Sequence, residues 1–309
     1  MILLWGLLED DPMGMAHAAL RKAGADFVFL DHRKIFESQV DYAFSPGAGG
    51  RCTVTQGETT IDLGRVGAAY VRGADLRDYP EMRDRAPDDP IAAEAAAFEF
   101  QLAACLDASD AVVINRSEPS ATNASKPFQL SVIREAGLGV PETFISNDAE
   151  AVRGFLARNP DSIYKSISGV RSIVRRVSAE HLDFLDDVGW CPSLFQRVVP
   201  GTNYRAHVLG GDVFAVRIES GQLDYRYGES TVVAAELPPE VAQKCVRLTS
   251  ALGLHFSGID LMRTPDDEWF CFEVNPSPAY SFFEQASGQP LSAALARFMI
   301  EADRRRGSP

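Results

Sequence analysis

Two β-rich runs near the C-terminus, Gly258-Ile259-Asp260-Leu261-Met262-Arg263 and Trp269-Phe270-Cys271-Phe272-Glu273-Val274-Asn275, flank the turn Thr264-Pro265-Asp266-Asp267. This is the pattern of a β-hairpin. A turn centred between Asp266 and Asp267 sets Asp260 opposite Glu273, and the strand period of two puts Glu273 and Asn275 on one face. Two carboxylates and an amide then converge within an otherwise apolar hairpin. Burying carboxylates side by side is costly unless a cation neutralises them. The oxygen-donor set suits Mg²⁺, which takes one or two carboxylates together with phosphate oxygens. An ordinary salt bridge to an arginine is the competing reading.

Two isolated lysines add a second signal. Lys126 precedes a helical stretch, and Lys165 ends a strand before Ser166-Ile167-Ser168-Gly169. An ammonium with nearby loop N–H groups can grip phosphates, although either lysine alone also reads as a surface residue. No G-x-x-x-x-G-K-[S/T] run occurs, which excludes a P-loop. Leu194 to Gly201 is an extended segment leaving a strand, and its backbone can face a nucleobase edge. Arg205, Arg217 and Arg226 lie on or beside strands, where guanidinium groups can meet phosphate or carboxylate; each can equally pair with an acidic neighbour such as Asp224.

These residues need a scaffold. The first third alternates strand and helix (strands 2–8, 26–30 and 68–72; helices 13–23 and 89–108; a last strand 111–115), which predicts a parallel sheet covered by helices. Residues 41–44 and 51–63 read as further strands. The polar stretch Pro119 to Pro127 marks a boundary. Beyond it come helices at 127–136 and 149–158, strands at 143–146, 162–166, 172–177 and 193–199, then 205–209 and 212–218. A helix at 239–252, the hairpin and a closing helix at 291–304 follow. The expected fold class is α/β with an α+β second half. Its domains are 1–117, 118–195 and 196–309.

The chain has 309 residues, enough for about two domains of roughly 150 residues. It carries 30 Lys and Arg against 43 Asp and Glu, a formal charge of −13. Such a surface repels a phosphate backbone, so no nucleic-acid partner is expected, and a polyanionic ligand needs its own cluster of cations. No apolar run reaches the roughly 18 residues of a membrane span. The start, Met1 to Leu8, lacks a basic region and reads as a buried strand, not a signal peptide, and the scattered cysteines make a reducing cytoplasm the expected compartment. The five cysteines are far apart and form no C-x-x-C, which argues against a disulfide framework and against zinc. The five histidines show no ligand spacing, and no G-x-S-x-G occurs.

The order Lys126, Lys165, Gln196–Val199, Arg205, then Asp260 and Glu273-Val274-Asn275-Pro276 resembles the ATP-grasp superfamily. Within it the chain is similar to RimK-type ligases, and most of all to the graspetide (microviridin-type) synthetases. That last likeness rests on Asn115-Arg116, Lys126-Pro127-Phe128-Gln129, Gly137-Leu138-Gly139-Val140-Pro141 and Asp224-Tyr225-Arg226. It covers residues 110 to 300 well and the first 110 in layout only. The resemblance implies an ATP-grasp fold: an N-terminal βαβ pre-ATP-grasp domain, a central lid subdomain and a C-terminal antiparallel-sheet subdomain. It also implies a chemistry in which ATP turns a carboxylate into an acyl phosphate that an amine attacks, releasing ADP and phosphate.

Lys126 and Lys165 would then hold the α and β phosphates, and Asp260, Glu273 and Asn275 would hold Mg²⁺. Arg205 would stabilise the transferred phosphoryl group. Gln196, Arg197, Val198 and Val199 would line the adenine pocket, and Arg226 would serve a peptide or small-molecule carboxylate. Three positions depart from the pattern: Arg197 replaces an acidic residue, Asn203 stands where Asp is frequent in a ribose or cation role, and the loop 168–172 is poor in glycine. Arg171 in that loop is expected either to clamp phosphate or to face solvent.

Three functions are therefore carried forward: a ligase for a small carboxylate and amine, a macrocyclase that links side chains of a ribosomal precursor peptide through amides or esters, and a non-catalytic ATP-binding regulatory module. Relatives of this type are often homo-oligomeric.

Overall fold

Apolar residues run through all of strand β1 (Ile2–Gly6), which is buried on both faces as the central strand of a parallel sheet must be. The computed structural model describes residues 1–309 apart from 47, 48, 77, 78, 80, 81, 84, 87, 88, 168–173, 221–229, 308 and 309. After β1 come α1 (Asp11–Lys22), β2 (Phe27–Asp31), β3 (Ser38–Ser45), β4 (Gly49–Gln56), β5 (Thr59–Asp62), β6 (Ala68–Val71), α2 (Pro90–Asp107) and β7 (Val112–Ile114). Asp10 caps α1 by accepting from the Met13 N–H, and Gly24, at φ +64°, ends it where the sequence predicts a stop. The parallel sheet has the order β2-β1-β6-β7, while β3-β4-β5 form a separate antiparallel sheet. Leu3 and Trp5 of β1 share a core with Val54 of β4 and with Phe98 and Leu102 of α2.

Residues 51–63, read from sequence as one strand, are two strands: β4 and β5 fold back at Gly57, whose φ of +58° favours glycine. A second correction concerns the cysteines. Cys52 of β4 and Cys105 of α2 are joined by a disulfide, with Cα atoms 6.3 Å apart. Their separation of 53 residues hides in the sequence what packing the small sheet on α2 brings together.

The chain continues through α3 (Ser117–Ala121), α4 (Lys126–Glu135), β8 (Thr143–Ser146), α5 (Ala149–Arg158), β9 (Ser162–Ser166), β10 (Arg175–Arg176), α6 (Ala179–Asp183) and β11 (Ser193–Arg197). Then come β12 (Thr202–Leu209), β13 (Asp212–Ser220), β14 (Ser230–Ala235), α7 (Pro239–Ala251), β15 (Phe256–Arg263), β16 (Trp269–Asn275), α8 (Tyr280–Ser287) and α9 (Leu291–Gly307). Strands β10-β9-β11-β8 make one sheet, whose core with α5 includes Val152, Phe155 and Phe195. Strands β14-β13-β12-β15-β16 make a second sheet, packed on α4 and α7 through residues such as Ile133, Ala206, Leu248 and Val274. Part of the strand expected at 172–177 lies outside the described residues, and β14 had no clear signal in the sequence.

Two compact units result. One comprises Met1–Pro119, Ala279–Glu284 and Pro290–Pro309; the other comprises Ser120–Pro278 and Gln285–Gln289. Residues 290–309, which chain order placed with 196–309, thus pack with the N-terminal strands: Asp303 accepts from the Met1 ammonium at 2.5 Å, and Arg306 donates to the Val66 carbonyl. No described helix is long and apolar enough to cross a membrane.

Candidate active site

The β15–β16 hairpin pairs Asp260 with Glu273 and Gly258 with Asn275. On the turn side of Asp260 the register shifts by one, so that Leu261 pairs with Cys271 and Phe272 is the extra residue of a β-bulge. The bulge lets Cys271 and Val274 both face the core while Glu273 and Asn275 share the other face. Arg205 of β12 pairs with Asp260 from the opposite side. Arg205, Asp260 and Glu273 therefore form one row across three strands. Behind them Tyr204, Ala206, Ile259 and Val274 fill the core.

Two lysines from other elements reach this row. Lys126 opens α4, just before Pro127, and its Nζ lies 3.0 Å from Glu273 Oε2 and 3.2 Å from Asn123 Oδ1. Lys165, on β9 opposite Leu194, brings its Nζ to 3.9 Å from the same Glu273 oxygen. Arg205 donates from a terminal nitrogen to Asp260 Oδ1 at 2.6 Å. All three cationic side chains are buried, whereas Glu273 keeps 27% and Asp260 22% of its side chain exposed. Three cations face two carboxylates, a local positive excess inside a chain of charge −13. The sequence demanded such a cluster for any polyanionic ligand.

Burial alone would push the Glu273 carboxyl up, but Lys165, Lys126 and Arg205 outweigh it and hold its pKa at about 2. The group is thus an anion at any physiological pH, ready for a cation. His207, two residues along β12 from Arg205, is driven well below its ordinary range by burial and by Arg205, and stays neutral. Asn275 Oδ1 accepts from the Ser277 N–H at 2.9 Å and retains a second lone pair. No group of three His, Cys, Asp or Glu side chains able to hold a metal occurs among the described residues. Two carboxylates and an amide on one face fit Mg²⁺ that brings phosphate oxygens of its own.

Gly258 completes the row. A Cβ there would overlap the Arg205 guanidinium, so glycine is what lets Arg205 lie flat across β15.

The remaining expected residues fall elsewhere. Gln196 is buried in the β8–β11–β9 sheet, where its Nε2 donates to Thr143 Oγ1 at 2.8 Å. The Arg197 and Val198 N–H groups donate to the Glu142 and Asp161 carbonyls, Arg197 itself is exposed, and Val199 is buried. Asn203 lines a groove of about 580 Å³ with Thr202, Glu219, Ser220 and Ser230. Arg171 and Arg226 lie outside the described residues, as do Asp224 and Tyr225. Arg116, part of the sequence likeness, donates to the carbonyls of Leu106, Asp107, Ser109 and Ala111, closing the end of α2.

Sequence reasoning gave no role to Gln129 or Gly258. The first stood in a quoted motif and the second began the hairpin, but only tertiary packing shows what each touches.

No protein-family model matches the chain. It is 23% identical over 248 residues to a probable alpha-L-glutamate ligase of Aliivibrio fischeri, covering 74% of this chain and 79% of that one. Among solved structures it superposes on the macrocyclase MdnC of Microcystis aeruginosa, bound with precursor peptide MdnA, at a TM-score of 0.82 and 23% identity, covering 97% and 99% of the two chains. The ATP-grasp ligase PsnB, complexed with its minimal precursor, Mg and ADP, gives a TM-score of 0.79 at 28% identity over 98% and 97%. The reading as a non-catalytic nucleotide-binding module gives way to these enzymes. The chain has the fold of the ATP-grasp ligases and is similar to the RimK-type glutamate ligases and to the graspetide macrocyclases, likenesses that support an enzyme of the carboxylate–amine ligase type.

Proposed function

We propose that this ligase acts on a peptide, activating an acidic side chain and joining it to a Lys amine or a Ser or Thr hydroxyl of the same chain. The supporting observation is the likeness to PsnB, complexed with its minimal precursor, at 28% identity over 98% of this chain. When bound, MgATP supplies the phosphoryl group that converts the carboxylate into an acyl phosphate.

The protein's work is positioning and charge neutralisation. Lys126 and Lys165 present their ammonium groups to the α and β phosphates. Asp260, Glu273 and Asn275 hold Mg²⁺. Arg205, held flat across Gly258 by Asp260, faces the transferred phosphoryl group. Gln196 to Val199 carry the adenine edge, their extended form kept by the bonds to Glu142 and Asp161. Arg171 is assigned to phosphate, Asn203 to the ribose or the groove beside it, and Arg226 to the substrate carboxylate. In chain order, residues 1–117 select substrate while 118–195 and the sheet beginning after 196 clasp the nucleotide.

The test is mass spectrometry of a precursor peptide encoded beside this protein, incubated with ATP and Mg²⁺. One water lost per link, with one ADP formed, supports the reading. ADP formation driven by free amino acids, with the peptide unchanged, would favour a small-molecule ligase.

A further inference from the structure

Strand β16 is the edge of its sheet, and among the described residues no strand of that sheet pairs with its outer side. Two devices close that edge. Near the turn, the Gly139 N–H donates to the Trp269 carbonyl at 2.9 Å and the Gly139 carbonyl accepts from the Cys271 N–H at 2.8 Å. A Cβ at 139 would come to 2.9 Å from the Phe270 ring, so only glycine approaches this closely.

Past the bulge, Gln129 of α4 takes over. Its Nε2 donates to the Val274 carbonyl at 2.8 Å, and its Oε1 accepts from the Val274 N–H at 3.1 Å. The side-chain amide acts as a one-residue strand, and at 1% exposure it does so away from water.

Val274 is the residue between Glu273 and Asn275. Its own side chain is fully buried in the sheet core. Lys126, one helical turn before Gln129, bonds the neighbouring Glu273. One face of α4 thus grips two successive residues of β16, a carboxylate with Lys126 and a peptide unit with Gln129.

We infer that Gln129 is a positioning residue of the metal site: by fixing both polar groups of Val274 it sets the separation and aim of Glu273 and Asn275. The inference rests on the assignment of those two residues to Mg²⁺. The hairpin pairs Glu273 and Asn275 with β15 from one side, and Gln129 holds the peptide between them from the other side, two residues past the bulge at Phe272. Groups of this kind, one step removed from the metal, typically change metal affinity about 10- to 100-fold when lost.

Gln129→Glu retains shape and can still accept from the Val274 N–H, but it sets a carboxylate oxygen against the Val274 carbonyl. The experiment is calorimetric binding of AMPPNP with and without Mg²⁺, for the full-length wild type, Gln129→Glu, Gln129→Asn and Glu273→Gln, together with amide exchange. The expected result is that Gln129→Glu loses about tenfold of the Mg²⁺-dependent gain in affinity, while Mg²⁺-free affinity stays within about twofold. The Val274 amide should exchange faster, with Ala206 in the sheet centre unchanged.

A Mg²⁺-dependent gain that survives in both Gln129 variants while Glu273→Gln loses it would overturn the inference. So would an equal loss with and without Mg²⁺, which marks a purely structural staple. A gain that survives in Glu273→Gln as well would show instead that the metal assignment has failed. Gln129→Asn, which keeps the amide chemistry on a shorter arm, provides a second reading if Gln129→Glu does not fold.

Discussion

The ammonium of Lys126 lies 3.0 Å from Oε2 of Glu273, across 147 residues of chain. A residue expected to bind phosphate and a residue expected to bind metal hold one another. Each neutralises a charge that burial would otherwise penalise. Removing Glu273 leaves the buried Lys126 without its carboxylate, and removing Lys126 leaves Glu273 with Lys165 at 3.9 Å as its remaining ion pair. Lys126→Met is therefore expected to weaken folding as well as ATP binding, whereas Lys126→Arg should preserve folding better than binding. Urea unfolding and ATP titration of the two variants separate these effects.

The low pKa of Glu273 has a pH signature. Its folded pKa is about 2 against an ordinary 4.5, so its contribution to stability is complete above pH 4.5 and is lost as pH falls toward 2. The stability difference between wild type and Glu273→Gln, measured without nucleotide, should shrink steadily from pH 5 to pH 2. A difference that is constant over that range would mean the carboxyl is not held down by its lysines.

Gly258 gives a subtler test of Arg205. Alanine there pushes the guanidinium off Asp260 without touching any proposed ligand. Turnover of Gly258→Ala should fall by about 10² or more, the cost typical of losing one charge-stabilising donor, with ATP affinity changed far less. Steady-state kinetics alongside ATP binding would show this; equal losses in both would point to a collapsed sheet.

The Cys52–Cys105 bond closes a loop of 53 residues in the N-terminal unit. Chain-entropy arguments put the stabilisation at about 4 kcal/mol. Reductant, or Cys52→Ala with Cys105→Ala, should lower the melting temperature of the protein. A non-reducing peptide map and a melt with and without reductant check both the bond and its effect. Free thiols at both Cys52 and Cys105 in the untreated protein would contradict it.

Much of the site was legible because strand periodicity and hairpin geometry are local. The Asp260–Glu273 pairing was obtained from a turn centred half a residue late and a hairpin assumed regular. The bulge at Phe272 supplies the compensating shift, so the two errors cancel at the residues that matter. The helix end at Gly24 was an equally local signal. What sequence reasoning could not see depends on distant partners: the 53-residue disulfide, Gln129 against Val274, and the return of residues 290–309 to the first unit. Arg205 shows the same limit: its acidic partner Asp260, 2.6 Å away on the next strand, could not be named from the sequence.

The central claim is that this row of residues activates a carboxylate with ATP. Hydroxylamine intercepts acyl phosphates as hydroxamates, so the decisive measurement is hydroxamate and ADP formation from the precursor peptide with MgATP, in wild type and in Glu273→Ala. Expected in wild type are hydroxamate and cross-links that together equal the ADP formed, and in Glu273→Ala none of these products although the variant still binds the adenine nucleotide. Undiminished hydroxamate from Glu273→Ala, or AMP in place of ADP, would contradict it.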